Sequence, residues 1–487
     1  MRYVSTRGDA PVLDFGDVLL EGLAADGGLY VPDELPAISR SDLADFASLP
    51  YHEVATRVLA PFVAPSLSID DLASLTSDAY STFTHPDVVP TSELSTGDHL
   101  TELYWGPTLS FKDVALQLLG RLFEHELARR GTYMTIVGAT SGDTGSAAIE
   151  ACRDRAGIEL VMLHPAGRVT EIQRRQMTTV DSPNISNVAI DGTFDDCQDL
   201  VKALFADRPF RERMRLGAVN SINWARVAAQ TVYYATTAVR LGAPANAVSF
   251  CVPTGNFGNV LAGDVARRMG VPIDRLVVAT NHNDILARTH RTGEMAIAEV
   301  RPSTSPAMDI QVSSNFERLL FELGGRRGAA LAADMARFRT EGALVLAPDV
   351  LAGLRAGFDA GSASEDDVSA TIASVNESDG RLIDPHTAVA LTVARRDAPT
   401  GGMSTPMAVM STAHPAKFGE AVFEATGVEP GLPPALAALA DRDEHLTALP
   451  NDLSTLRDFV TAHCAHRAAR RRSEAANAAS IARSEDG

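Results

Sequence analysis

Apolar residues recur at helical spacing through 113–130, where Val114, Leu118, Leu122 and, less regularly, Leu127 form one stripe. A β-rich run over Thr132–Val137 then ends in glycine. The pattern returns to helix over Thr144–Arg153 and to strand over Ile158–Leu163. Asp195–Ala206 and Val227–Leu241 read as helices. Ala247–Val252, Asn259–Met269 and Leu276–Thr280 repeat strand, helix, strand. Near-continuous apolar strands alternating with helices predict a parallel sheet covered on both faces. Ligands on such sheets sit at the carboxyl ends of the strands.

The flanks read differently. Residues 1–95 are rich in Pro, Asp, Ser and Leu, with helix-like stretches at Ser41–Leu49 and Ile69–Tyr80, and predict a mainly helical N-terminal domain. The α/β region is expected over 96–430. A helical C-terminal segment over 431–487 opens at Gly431-Leu-Pro-Pro, and Ser473–Gly487 reads as a frayed or disordered tail. The basic run Arg470–Arg472 reads as a solvated face.

Composition narrows the function classes. The chain carries 43 Lys+Arg against 62 Asp+Glu, a net charge of −19, which argues against a nucleic-acid surface. Hydrophobic residues at 45% and charged ones at 22% are a globular balance. No run offers the ~18 apolar residues of a membrane span, and the first residues lack a secretory apolar core. Four cysteines without CxxC spacing predict neither a structural metal nor a disulfide framework, so a reducing cytoplasm is the expected compartment. Only three of the 43 basic residues are lysine: Lys112, Lys202 and Lys417. Arginine cannot replace lysine as an amine nucleophile, because it holds its proton at working pH.

Lys112 ends Gly106-Pro-Thr-Leu-Ser-Phe-Lys112, a Gly/Pro loop turning into a helix. A helix N-terminus lowers the pKa of a nearby ammonium, and such a lysine can form a Schiff base. Phe111 beside it suits a flat cofactor; a surface lysine opening a helix is the competing reading. Val137-Gly-Ala-Thr-Ser-Gly-Asp-Thr-Gly145 takes a strand through small residues into a helix, and exposed N–H groups at such a turn bind carboxylate or phosphate. It is neither a P-loop nor a GxGxxG fingerprint. Val252-Pro-Thr-Gly-Asn-Phe-Gly-Asn259 repeats the arrangement, with two glycines able to close around a phosphate or merely to make a tight turn. Asn220–Arg226 supplies amide, hydroxyl and guanidinium groups at a helix start. Ser411-Thr-Ala-His-Pro-Ala-Lys417 follows the apolar strand Met407–Met410 and offers a neutral hydroxyl for a ring nitrogen. His414 there is an acid–base candidate or a structural histidine. Together these groups match a pyridoxal-phosphate enzyme.

The same segments, with Tyr3–Gly8, Gly22–Pro32, Gly192–Gln198 and Thr280–Ile285, closely resemble the threonine synthase family of the longer bacterial and fungal type. The resemblance implies the α/β, tryptophan-synthase-β-like fold type II with parallel-rich sheets, the 96–430 region forming two subdomains. It implies pyridoxal 5'-phosphate as cofactor and O-phospho-L-homoserine as the small-molecule substrate, converted with water to L-threonine and phosphate. Lys112 would carry the cofactor, with Phe111 against it. Gly255, Asn256, Phe257, Gly258 and Asn259 would hold its phosphate, and Thr412 would face its ring nitrogen. Thr140, Ser141 and Thr144 would receive the substrate carboxylate; Ser221, Asn223 and Arg226 would take the substrate phosphate. Asp143 stands where the wider fold places an asparagine against the cofactor's ring hydroxyl. His164-Pro replaces the Tyr-Pro often found in relatives, a harmless change by expectation.

No metal, nucleic acid or membrane is expected, and a monomer or homodimer fits. A phospho-lyase or dehydratase on the same scaffold, releasing 2-oxobutyrate, is the nearest alternative. A non-catalytic phosphate-binding protein is the alternative from another class.

Overall fold

The computed structural model describes residues 1–140, 142–396 and 405–465, and its chain divides into two compact units. The first comprises residues 1–118 and 221–433; the second comprises 119–220 with the C-terminal segment from 434. Ser141 and the anticipated tail at 473–487 lie outside the described residues.

The first unit is built on a six-stranded sheet in the order Asp359–Ser362, Ile273–Thr280, Val248–Pro253, Met407–Ser411, His99–Glu102, Thr91–Glu93. Every pairing is parallel except the last. Val248–Pro253 and Met407–Ser411 are buried at every position, which is why their sequence runs apolar without alternation. Cys251, Val277, Val389 and Val409 form the centre of the core. The helix Trp224–Arg240 packs against Gly258–Met269 and against Tyr51–Val63 of the N-terminal region. That region also pairs Tyr3–Ser5 antiparallel with Tyr30–Pro32. The helix Ile69–Tyr80 starts where Ser68 accepts the Asp71 N–H.

The second unit holds a five-stranded, all-parallel sheet: Thr447–Pro450, Ile185–Asp191, Ile158–Pro165, Met134–Ala139, Leu216–Gly217. Val137, Val161, Leu163 and Val188 pack on Cys197, Leu200 and Leu204 of the helix Phe194–Ala206. The C-terminal segment brings the helix Leu453–Val460 to the same core through Leu456 and Val460, and it also supplies the edge strand Thr447–Pro450. That strand is four residues long and largely exposed, so it has no apolar pattern to announce it. His164 ends the Ile158–Pro165 strand in a buried position, and burial holds its imidazole below the ordinary histidine range.

Candidate active site

In the first unit, Lys112 opens the helix Lys112–Arg129 and is 8% exposed. Its Nζ lies 5.1 Å from the centre of the Phe111 ring, within cation–π range. The loop before it is drawn tight by Asp113, whose carboxylate accepts from the N–H and the hydroxyl of Thr108, both at 2.8 Å. Gly106 is needed there: a Cβ would stand 2.5 Å from that of Asp113. Burial pushes the Asp113 carboxyl up to about 6, against the hydrogen bonds from Thr108 and the charge of Lys417.

This loop is stitched to the segment after Met407–Ser411. Phe111 N–H donates to the Thr412 carbonyl at 2.8 Å, and His414 N–H donates to Leu109 at 3.1 Å. Thr412 is buried beside Ser411, whose hydroxyl shares a 2.9 Å hydrogen bond with Thr387. Thr387 in turn bonds to the buried Asp384. His414 accepts the Ala416 N–H at Nδ1, and burial lowers its pKa, so its ring is committed to capping the turn Pro415–Phe418.

The loop after Val248–Pro253 places Phe257 in the left-handed region (φ 63°), its ring packed on Phe316 and Phe358. A Cβ at Gly255 would lie 2.6 Å from the Ala307 carbonyl. Asn259 is buried, and its Oδ1 accepts from Tyr233 at 2.7 Å and Tyr234 at 2.9 Å. Both tyrosines fix the amide's orientation, and its Nδ2 has no protein acceptor among the described residues. A buried, oriented N–H donor at a helix start beside the close-packed Gly255 fits a phosphate.

Ser221, Asn223 and Arg226 fall at the start of the helix Trp224–Arg240, but in different circumstances. The half-buried Ser221 shares a 3.5 Å contact with the hydroxyl of Ser314. Arg226 is buried, and desolvation brings its guanidinium down to about 10, so it remains a cation at neutral pH. Asn223 is fully buried: its Oδ1 caps the helix through the Ala225 N–H and its Nδ2 donates to Leu19 at 2.9 Å. Asn223 therefore helps to place the helix start, with one of its two amide N–H donors given to Leu19.

The Asn220–Arg226 loop is tied to the 255–259 loop by residues the sequence reading passed over. Asn315 Nδ2 donates to the carbonyls of Ser221 at 3.1 Å and Asn256 at 3.0 Å, and Ser313 donates to Gly255 at 2.7 Å. Ser314 reaches the exposed Asn256 at 3.3 Å. Nothing in Ser313-Ser-Asn315 beyond polar residues ahead of a helix could have signalled this.

In the second unit, the turn from Met134–Ala139 into the helix Asp143–Cys152 is closed by Thr140 itself. Its hydroxyl accepts from the N–H groups of Gly142 at 3.0 Å and Gly145 at 2.9 Å. The Thr140 side chain thus shapes the loop, and Thr144 lies half-buried in the first turn of the helix. The Asp143 carboxylate accepts from Gln173 at 2.9 Å. Among the described residues, no cluster of His, Cys, Asp or Glu could hold a metal ion, and no helix is long and apolar enough to cross a membrane.

Three family descriptions match in succession: "Threonine synthase N terminus" over residues 2–80, "Pyridoxal-phosphate dependent enzyme" over 102–338 and "Threonine synthase, C-terminal" over 387–460. Threonine synthase of Pseudomonas aeruginosa is 51% identical over 95% of this chain and 98% of its own length. That of Corynebacterium glutamicum is 44% identical over 94% and 98%. The crystal structure of pyridoxal-phosphate-bound threonine synthase from Brucella melitensis superposes with a TM-score of 0.93 at 49% identity, covering 95% of this chain and 99% of that one. The yeast threonine synthase structure gives 0.90 at 36% identity, covering 96% and 99%. A chain matched end to end at this identity, with a buried lysine at a loop–helix junction, belongs to the threonine synthase family of pyridoxal-phosphate-dependent enzymes.

Proposed function

We propose that this enzyme converts O-phospho-L-homoserine and water into L-threonine and phosphate. The observation that carries the reading at the level of residues is the main-chain bond from Phe111 to Thr412, which joins the loop carrying the buried Lys112 to the segment carrying a neutral hydroxyl. Bound pyridoxal phosphate supplies an electron sink for charge developing at the substrate's α carbon.

The chain's own groups do the rest. Lys112 anchors the cofactor and, once displaced by the substrate amine, takes the proton from Cα and returns it. Gly255, Asn256, Phe257, Gly258 and Asn259 hold the cofactor phosphate, with the Asn259 Nδ2 as a side-chain donor. Thr412 faces the ring nitrogen without a charge, so that nitrogen is not driven to protonate. Backbone N–H groups of the 140–144 loop, with Ser141 and Thr144, bind the substrate carboxylate. Ser221 and Arg226 hold the phosphate that leaves Cγ; the buried guanidinium suits a dianion in a site poor in water. Over the reaction Cβ exchanges a proton for the hydroxyl of water, and Cγ exchanges phosphate for a proton.

Four free, buried cysteines support a reducing cytoplasm as the working compartment. The acidic surface supports small-molecule rather than nucleic-acid chemistry. The test is a product assay on O-phosphohomoserine with the purified holoenzyme. Threonine and phosphate in equal amounts are expected; 2-oxobutyrate as main product would make the enzyme a phospho-lyase instead.

A further inference from the structure

Lysine occupies three positions, and two of them are buried at the same loop. The third, Lys202, is exposed and paired with Asp199 at 2.8 Å. Lys417 sits in the turn Pro415–Phe418, 2% exposed, and its Nζ donates to the carbonyl of Thr108 at 2.7 Å. Thr108 gives both its N–H and its hydroxyl to Asp113. The charge of Lys417 also acts directly on the Asp113 carboxylate. A closed chain of contacts thus grips residues 108 and 113, with Lys112 between them. His414 also faces this corner, packed edge-on against Tyr104, and Asp384 and Glu102 act on it with opposite sign to Lys417.

We propose that Lys417 is a positioning residue: its buried ammonium, acting with Asp113 through Thr108, fixes the loop that presents the Lys112 amine beside Thr412. The inference rests on the reading of Lys112 as the cofactor's anchor. A compact ammonium can aim at one carbonyl in a closed corner; a guanidinium fork would bring five donors there. A buried cation needs a counter-charge close by, and Asp113 is that charge. The partnership is reciprocal. Burial already pushes the Asp113 carboxyl up to about 6 against the charge of Lys417, so losing Lys417 drives it further toward the neutral acid. The charge felt by the neighbouring Lys112 nitrogen then changes at a different pH.

The test compares wild-type holoenzyme with Lys417→Met, Lys417→Gln, Asp113→Asn and Lys112→Ala. The readouts are the pH dependence of the bound cofactor's visible absorbance and the rate of cofactor release. Wild type is expected to show an absorbance step near pH 6 that Asp113→Asn lacks. Lys417→Met should move that step up by about one pH unit and speed release about tenfold. Lys417→Gln keeps a donor for Thr108 without the charge, so it should move the step equally but release cofactor more slowly than Lys417→Met. It carries the same test should Lys417→Met fail to fold. A side chain that merely fills space would lower thermal stability and leave the step and the release rate of both variants at wild-type values, and that result overturns the proposal. Lys112→Ala separates the two readings. Loss of covalent cofactor there with an unmoved step in Lys417→Met overturns the role of Lys417 alone; covalent cofactor retained there overturns both.

Discussion

The main-chain N–H of Phe111 donates to the carbonyl of Thr412 at 2.8 Å. With the bond from His414 to Leu109 it forms the bridge between Ser110 and Ala413, a single rung of antiparallel ladder that joins two segments far apart in sequence. The segments that carry the lysine and the hydroxyl are therefore brought together by backbone.

Because the ladder is main chain, Lys112→Ala should fold normally. Turnover should fall at least about a thousandfold, since both anchor and proton carrier are lost. Mass spectrometry after borohydride reduction, beside the steady-state rate, checks this. Retained turnover would mean that another amine serves.

Arg226→Lys keeps the charge and loses the planar fork. The KM for O-phosphohomoserine should rise about tenfold or more, by the ~1.5–3 kcal/mol of a charge-assisted hydrogen bond. Cofactor stoichiometry should stay at wild type. An unchanged KM removes Arg226 from the substrate phosphate site.

Asn259→Ala should weaken cofactor binding about tenfold. Tyr233→Phe, which deletes one of the two hydroxyls holding the Asn259 amide, should do so less. Combined, the two changes should cost little more than Asn259→Ala alone, because the tyrosine acts through the amide. Equilibrium titration of the apoenzyme with pyridoxal phosphate reads the cycle, and full additivity would show that the tyrosine acts elsewhere.

Leu456→Ala empties a fully buried site in the core of the second unit. It should destabilise by ~2–4 kcal/mol in denaturant unfolding. A smaller effect than about 1 kcal/mol would mean that the C-terminal helix is docked loosely.

The sequence by itself determined five strands of the two sheets, at Thr132–Val137, Ile158–Leu163, Ala247–Val252, Leu276–Thr280 and Met407–Met410, and the helices read beside them, because continuous apolar runs and period-3.6 burial must be written in the residues that are buried. The predicted helix at Ile69–Tyr80 matches the observed one, and the strand read at Ala247–Val252 shifts by one residue. The loop chemistry was legible too. Glycines at 255 and 258 and a lysine after Gly106-Pro are residues whose special properties have few other uses. Only the tertiary structure decided what each polar side chain does. Asn223 and Thr140 look like ligand donors in sequence; the fold adds that the first caps a helix and the second closes its own loop. Asn315 looks like nothing and ties two site loops together. The four-residue strand Thr447–Pro450 and the grip of Lys417 on Thr108 belong to the same class. Hydrophobic burial leaves a periodic trace along the chain, whereas a hydrogen bond depends on two atoms meeting at one angle and distance. The folded backbone sets that meeting, and no spacing in the sequence records it.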